Sequence, residues 1–178
     1  MIRLLTLMLI LPAFLFSEEA RILRYPNASE THITFCHSGD LFVVPIEGGL
    51  ARRITTHPGE EMYPRISPDG KTIAFTGLYD GNREIYTVPL MGGAPQRVTY
   101  SMDQGNPAER MGPDKIIMQW QDNEHIVYRS RKDHWQIFSG HLYSSDINGG
   151  LPYQFPIGTS GYASLSPDGS KIAYNRIF

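Results

Sequence analysis

Ser67-Pro68-Asp69-Gly70-Lys71-Thr72-Ile73-Ala74-Phe75 recurs as Ser166-Pro167-Asp168-Gly169-Ser170-Lys171-Ile172-Ala173-Tyr174. A weaker copy reads Trp120-Gln121-Asp122-Asn123-Glu124-His125-Ile126-Val127-Tyr128, and a more worn one ends in Ile33-Thr34-Phe35. Pro-Asp-Gly encodes a turn. Proline sets φ, aspartate bonds the backbone ahead of it, and glycine accepts positive φ. Asn123 holds the glycine position in the third copy, and asparagine tolerates that conformation better than most residues. The turn joins a strand around Pro64-Arg65-Ile66 to a strand over Thr72–Thr76.

A second element follows each of the first three copies. It reads Leu41-Phe42-Val43-Val44-Pro45-Ile46-Glu47-Gly48-Gly49, then Ile85-Tyr86-Thr87-Val88-Pro89-Leu90-Met91-Gly92-Gly93, then Leu142-Tyr143-Ser144-Ser145-Asp146-Ile147-Asn148-Gly149-Gly150. After each Gly-Gly comes a short outer run: Arg52–Thr55, Gln96–Thr99 and Tyr153–Pro156. Phe35, Phe75, Tyr128 and Tyr174 mark one point in successive repeats, at spacings of 40, 53 and 46 residues. Four short antiparallel strands per repeat of this length describe a β-propeller blade. After the first residues, no segment holds the apolar spacing of a helical solenoid. A single blade is too thin to bury two sheet faces, so Ile73, Phe75, Ile85 and Tyr86 require a neighbour on each side.

The fold expected is therefore all-β: a propeller of four-stranded antiparallel blades behind an export signal. The blades fall at about 22–55, 56–99 and 100–156, with a half blade at 157–178. About three and a half blades leave an incomplete ring, so a longer natural chain is expected, with closure by self-association as the alternative.

Residues 1–20 differ from the rest. Arg3 supplies a positive charge, Leu4 to Phe16 is apolar apart from Thr6, and Ser17-Glu18-Glu19 follow. This is the order of a secretory signal peptide, and thirteen residues rise only about 20 Å as a helix, short of a bilayer core. Export to the periplasm or the medium is expected, with no membrane role beyond export. Formal net charge is −2 and no basic block occurs, which argues against a nucleic-acid partner. Cys36 is the single cysteine, so it forms no internal disulfide, and its strand setting reads as a buried small hydrophobe. Asn27-Ala28-Ser29 fits the N-glycosylation pattern, which has meaning only on a eukaryotic secretory route.

Catalytic chemistry is not legible. Gly158-Thr159-Ser160-Gly161 lacks the spacing of a nucleophile elbow and reads as a loop between blades. No His-Glu-x-x-His, paired-cysteine or phosphate-loop pattern occurs, so no catalytic residue, metal ligand or cofactor site is assigned. His32, His37, His57, His125, His134 and His141 are scattered; His134 and His141, with Asp133, are a thin case for a metal. Asp69, Asp122 and Asp168 recur at one blade position, and turn formation accounts for them more simply than calcium. Two departures from the repeat are the candidate contact surfaces. One is the segment Tyr100–Gln119, with Met102, Asp103, Gln104, Met111 and Met118; the other is the loop Arg129–Gly140, with Arg131 and Trp135.

The repeats resemble the WD40-like repeats of exported propellers, among them translocation-associated periplasmic propellers, dipeptidyl-peptidase-like enzymes and tricorn-like peptidases. The ordered set Ile22–Pro26, Gly39–Pro45, Ala51–Gly59, Phe75–Glu84 and Ala173–Phe178 is similar to the opening of bacterial tricorn-like serine peptidases. That resemblance implies a long enzyme whose N-terminal six-bladed propeller admits and filters unfolded peptides. It also implies later domains, including a PDZ-like module and a C-terminal serine peptidase core. None of that core's motifs lies in these residues, so no catalytic residue is carried over. The implied partners are unfolded polypeptides and the rest of the chain itself, with a homo-oligomer of the parent as a further expectation. The alternatives are a non-enzymatic periplasmic propeller scaffold that binds protein partners and the propeller of a prolyl-peptidase-like enzyme.

Overall fold

A strand turns successive side chains to opposite faces, so an almost unbroken apolar run such as Thr72–Leu78 is buried on both. The computed structural model describes residues 22–101, 114–132 and 140–177. Among these it contains strands and no helix. The first sheet is β1 (Arg24–Ala28), β2 (His32–His37), β3 (Asp40–Pro45) and β4 (Arg52–Arg53). The second is β5 (Glu61–Ile66), β6 (Thr72–Leu78), β7 (Arg83–Pro89) and β8 (Gln96–Arg97). The third is β9 (Lys115–Trp120), β10 (His125–Ser130), β11 (His141–Asp146) and β12 (Tyr153–Gln154). A two-stranded sheet, β13 (Ser160–Leu165) with β14 (Ile172–Arg176), comes last. Within each sheet the strands are antiparallel and lie in chain order.

These are three four-stranded blades and the first half of a fourth, an unclosed propeller. The first strands β1, β5, β9 and β13 pack against one another in succession and form the inner, axial edge. The two-residue outer strands pair only within their own sheets and so sit at the rim, where Arg52 of β4 reaches across to the Leu90 and Met91 carbonyls of the second blade.

The Pro-Asp-Gly turns form as their residues dictate. Gly70 and Gly169 have φ of 71° and 68°. The Asp69 carboxylate accepts hydrogen bonds from the Ser67 hydroxyl at 2.7 Å and the Lys71 N–H at 3.1 Å. Asp168 repeats this with Ser166 and Ser170, and those bonds, the Ser166 hydroxyl foremost, hold its carboxyl down to about 2. Asp122 accepts from the N–H groups of Glu124 and His125.

Blade stacking follows from the alternation. Ile73, Phe75, Tyr86 and Val88 face the first blade and pack with Cys36, Leu41, Val43 and Ile54. Ala74 and Ile85 face the other way, onto Ile117, Trp120, Ile126 and Tyr128 of the third blade. The third blade meets the fourth through Ile116, Met118, Val127 and Leu142 against Ala163, Leu165 and Ile172. Burying one such side chain is worth about 1.5–3 kcal/mol. Each complete blade also carries a stacked cross-strand aromatic pair, Phe35–Phe42, Phe75–Tyr86 and Tyr128–Tyr143, all with ring centroids 5.8 Å apart. Cys36 is 3% exposed, and burial, followed by the nearby Glu61, Glu60 and Asp40, pushes its thiol up to about 12.

Two sequence readings shift. Gly158-Thr159-Ser160-Gly161 is not wholly a loop: Ser160 and Gly161 begin β13, where Ser160 pairs with Arg176 of β14 and bridges to Gly140. Met118, read as part of an excursion, is a buried residue of β9. Residues 1–21, which include the export signal read over 1–20, lie outside the described residues.

Candidate functional site

The three inter-blade seams are built on one frame. The N–H of Ile54, Val98 and Phe155 donates to the carbonyl of Leu41, Ile85 and Leu142, at 2.8, 2.8 and 3.0 Å. The next residue in the first two is Thr55 or Thr99. Its hydroxyl accepts from the N–H of Leu41 or Ile85, at 2.9 Å in both, and donates to a buried carboxylate. At the first seam that carboxylate is Glu61, which opens β5 of the following blade. Glu61 also accepts from the Leu41 N–H at 3.0 Å and the Tyr79 hydroxyl at 2.5 Å. Burial pushes its carboxyl above the ordinary range, against the downward pull of Thr55 and Tyr79. The nearby Asp40 is held instead by Arg53, at 2.6 Å.

At the second seam the carboxylate is Glu84, and the residue opening the next blade is Lys115. The Lys115 Nζ lies 3.0 Å from Glu84 and donates to the Ser101 hydroxyl and the Arg83 carbonyl. Arg97 adds a further contact to Glu84 at 3.4 Å. The same position therefore carries an acid in β5 and a base in β9. At the third seam it is Ser160.

Open clefts sit over the first two seams. The first, of about 400 Å³, is lined by Ile54, Thr55, Thr56, His57, Tyr79 and Pro95, among others. The second, of about 220 Å³, is lined by the corresponding Val98, Thr99, Tyr100, Ser101, Lys132 and Pro152, and also by Lys115. In the first, the His57 ring lies 3.8 Å from that of Tyr79, which lies 4.5 Å from Tyr86 of the core. The Gly59 N–H donates to His57 Nδ1 at 2.9 Å. A Cβ on Gly59 would stand 1.8 Å from the Leu78 carbonyl oxygen, so only glycine lets this segment lie against β6. In the second cleft, Lys132 Nζ sits 4.6 Å over the Tyr143 ring.

The inner edge has its own repeated device. Tyr25 and Tyr63 both have φ of 54°, rare for tyrosine, and each precedes a proline at a bulge. Their rings are 4.3 Å apart. Tyr162 sits at the matching bulge of β13 and is 65% exposed. Two residues on, a polar side chain clips each blade to the next. Asn27 Oδ1 accepts from the Ile66 N–H at 2.8 Å, Arg65 Nε donates to the Met118 carbonyl at 3.1 Å, and Gln119 Oε1 accepts from the Leu165 N–H at 2.9 Å. Burial pushes the Tyr63 phenol up and the Arg65 guanidinium down.

Of the contact residues read from sequence, Arg131 is buried, 3% exposed, with Nη2 2.9 Å from Asp114 Oδ1. It anchors the foot of its loop. Met102, Asp103, Gln104 and Trp135 lie outside the described residues, as do Met111, Asp133 and His134. His141 opens β11. Among the described residues no group of three or more His, Cys, Asp or Glu side chains is placed to hold a metal ion, and no helix is long and apolar enough to cross a membrane. Sequence reading missed Glu61, Glu84, Lys115, His57 and Tyr79. The Thr55/Thr99 match marked the seams, but the partners come from other strands.

Stacked blades with a bulged inner edge and clefts over the first two seams define a propeller module. The chain belongs to the family described as the tricorn protease N-terminal beta propeller domain, which it matches over residues 20–178. It is 35% identical over 78 residues to tricorn protease homolog 1 of Streptomyces coelicolor, covering 44% of this chain and 7% of that protein. It is 41% identical over 54 residues to the Tol-Pal system protein TolB of Bordetella pertussis, covering 30% of this chain and 12% of that one. The solved structure of a putative TolB from Agrobacterium tumefaciens superposes with a TM-score of 0.69 at 23% identity, over 86% of this chain and 53% of that chain. The chain thus spans only a small part of these two curated relatives.

Proposed function

We propose that this chain is the substrate-access propeller of an exported tricorn-like serine peptidase, and that it handles unfolded peptides without cutting them itself. The observation that carries the reading is the family match over residues 20–178. The bulged tyrosines on the inner edge and the seam clefts support it as surfaces an extended polypeptide can touch. On this reading the catalytic residues lie elsewhere in a longer chain, and the N-terminal segment directs export to the periplasm or the medium.

A second reading is a TolB-like scaffold for folded protein partners, favoured by the identity to the Bordetella protein. A pull-down separates the two. Immobilised protein is offered reduced, alkylated casein and a mixture of folded proteins. Retention of the unfolded chain, uncleaved, is the expected result. Selective retention of a folded protein favours the scaffold. Serine-dependent hydrolysis by the chain itself contradicts the non-catalytic role.

A further inference from the structure

The two seam clefts share a frame but not a chemistry. Two lysines line the second, whereas no Lys, Arg, Asp or Glu lines the first. An anionic side chain placed in the first cleft would find no counter-charge in the lining and would face Glu61 directly behind Thr55 and Tyr79. Its volume of about 400 Å³ falls in the range of ligand pockets, roughly 300–1,000 Å³, and the second, at about 220 Å³, falls below it. The walls are Ile54, Pro58, Pro95 and the exposed His57 ring, which continues the stack His57–Tyr79–Tyr86 into the core. That stack is fixed in place. Tyr79 is tied to Glu61 at 2.5 Å, and the His57 segment is pressed against β6 at Gly59. A rigid aromatic wall with an apolar rim is the setting in which a single inserted side chain contributes strongly to binding.

Two polar points complete the site. His57 Nδ1 is occupied by the Gly59 N–H, which leaves Nε2–H as the ring's donor. The Tyr79 hydroxyl spends its proton on Glu61, which leaves its oxygen as an acceptor. One donor and one acceptor match the C=O and N–H of a peptide group. We infer that the first seam cleft seats an uncharged apolar side chain of an extended polypeptide, with the main-chain amide beside it bonded to His57 and Tyr79. This rests on the peptide-handling reading and adds to it the class of residue selected and its place at the rim.

The test uses two fluorescein-labelled peptides, Gly-Gly-Phe-Leu-Gly amide and Gly-Gly-Asp-Asp-Gly amide, titrated by anisotropy. Thr56→Trp fills the cleft from an exposed position, and Leu151→Trp alters the second cleft, also from an exposed position. The Phe-Leu peptide is expected to bind at least tenfold more tightly than the Asp-Asp peptide. Thr56→Trp is expected to weaken it at least tenfold, and Leu151→Trp less than twofold. Equal binding of the Phe-Leu peptide to wild type and Thr56→Trp overturns the cleft assignment and leaves peptide handling standing. No binding of either peptide, together with no retention of unfolded casein, overturns both.

Discussion

The first and second seams are matched in backbone and opposed in charge. Both hang a threonine hydroxyl between a main-chain N–H and a buried carboxylate. At the first, three hydrogen bonds hold Glu61, and Asp40 keeps the nearest arginine to itself. At the second, Glu84 meets Lys115 and Arg97 directly. The blade repeat thus fixes where a polar group must sit, because the Leu41 and Ile85 amides point into the seam and need an acceptor. It leaves open how the acceptor's charge is balanced. Neutral hydrogen-bond donors, Leu41 and Thr55 of the first blade and Tyr79 of the second, hold the first seam, and an ion pair between two blades holds the second.

The largest effect expected is at the second seam. Lys115→Met leaves the buried Glu84 with Arg97 as its one remaining cation and should cost about 3 kcal/mol, the low end for breaking a buried pair, read as a lower urea midpoint. At the first seam Glu61→Leu removes no counter-charge but orphans the hydroxyl donors of Thr55 and Tyr79, while the Leu41 N–H keeps Thr55. A loss of about 1–3 kcal/mol is expected in the same assay.

The pH response should also separate the seams. The folded carboxyl of Glu61 lies above its unfolded value, so its stabilising contribution is full at acid pH and is lost as pH rises through the folded value. Wild-type urea midpoints should fall across that window, and Glu61→Gln should flatten the fall. A profile unchanged by Glu61→Gln would mean that Glu61 is not the titrating group. Smaller still is the inner clip. Gln119→Ala should cost about 0.5–1.5 kcal/mol by removing the acceptor for the Leu165 N–H, with hydrogen exchange rising first in β13.

The fold was legible because each blade is written locally. Pro-Asp-Gly, the aromatic at Phe75 and its equivalents, and Gly-Gly all act within one repeat of sequence. The seams were not, because their partners sit in different blades. Glu61 and Lys115 open equivalent strands yet differ in charge, so comparing repeats hides their shared place. One signal was available: Tyr25-Pro26 and Tyr63-Pro64 recur at one blade position, and both tyrosines prove to be bulged with positive φ. Asn27, which fits a glycosylation pattern, is the clip to Ile66. Arg131 sits in the loop where sequence placed it, but its side chain is spent on Asp114.

Successive blades are joined through specific buried partners. A double-mutant cycle on Glu84→Gln and Lys115→Met, read by urea unfolding, measures that join between the second and third blades. A coupling of about 1–3 kcal/mol between these residues of adjacent blades is the expected result. Additivity within about 0.5 kcal/mol would contradict the seam as described.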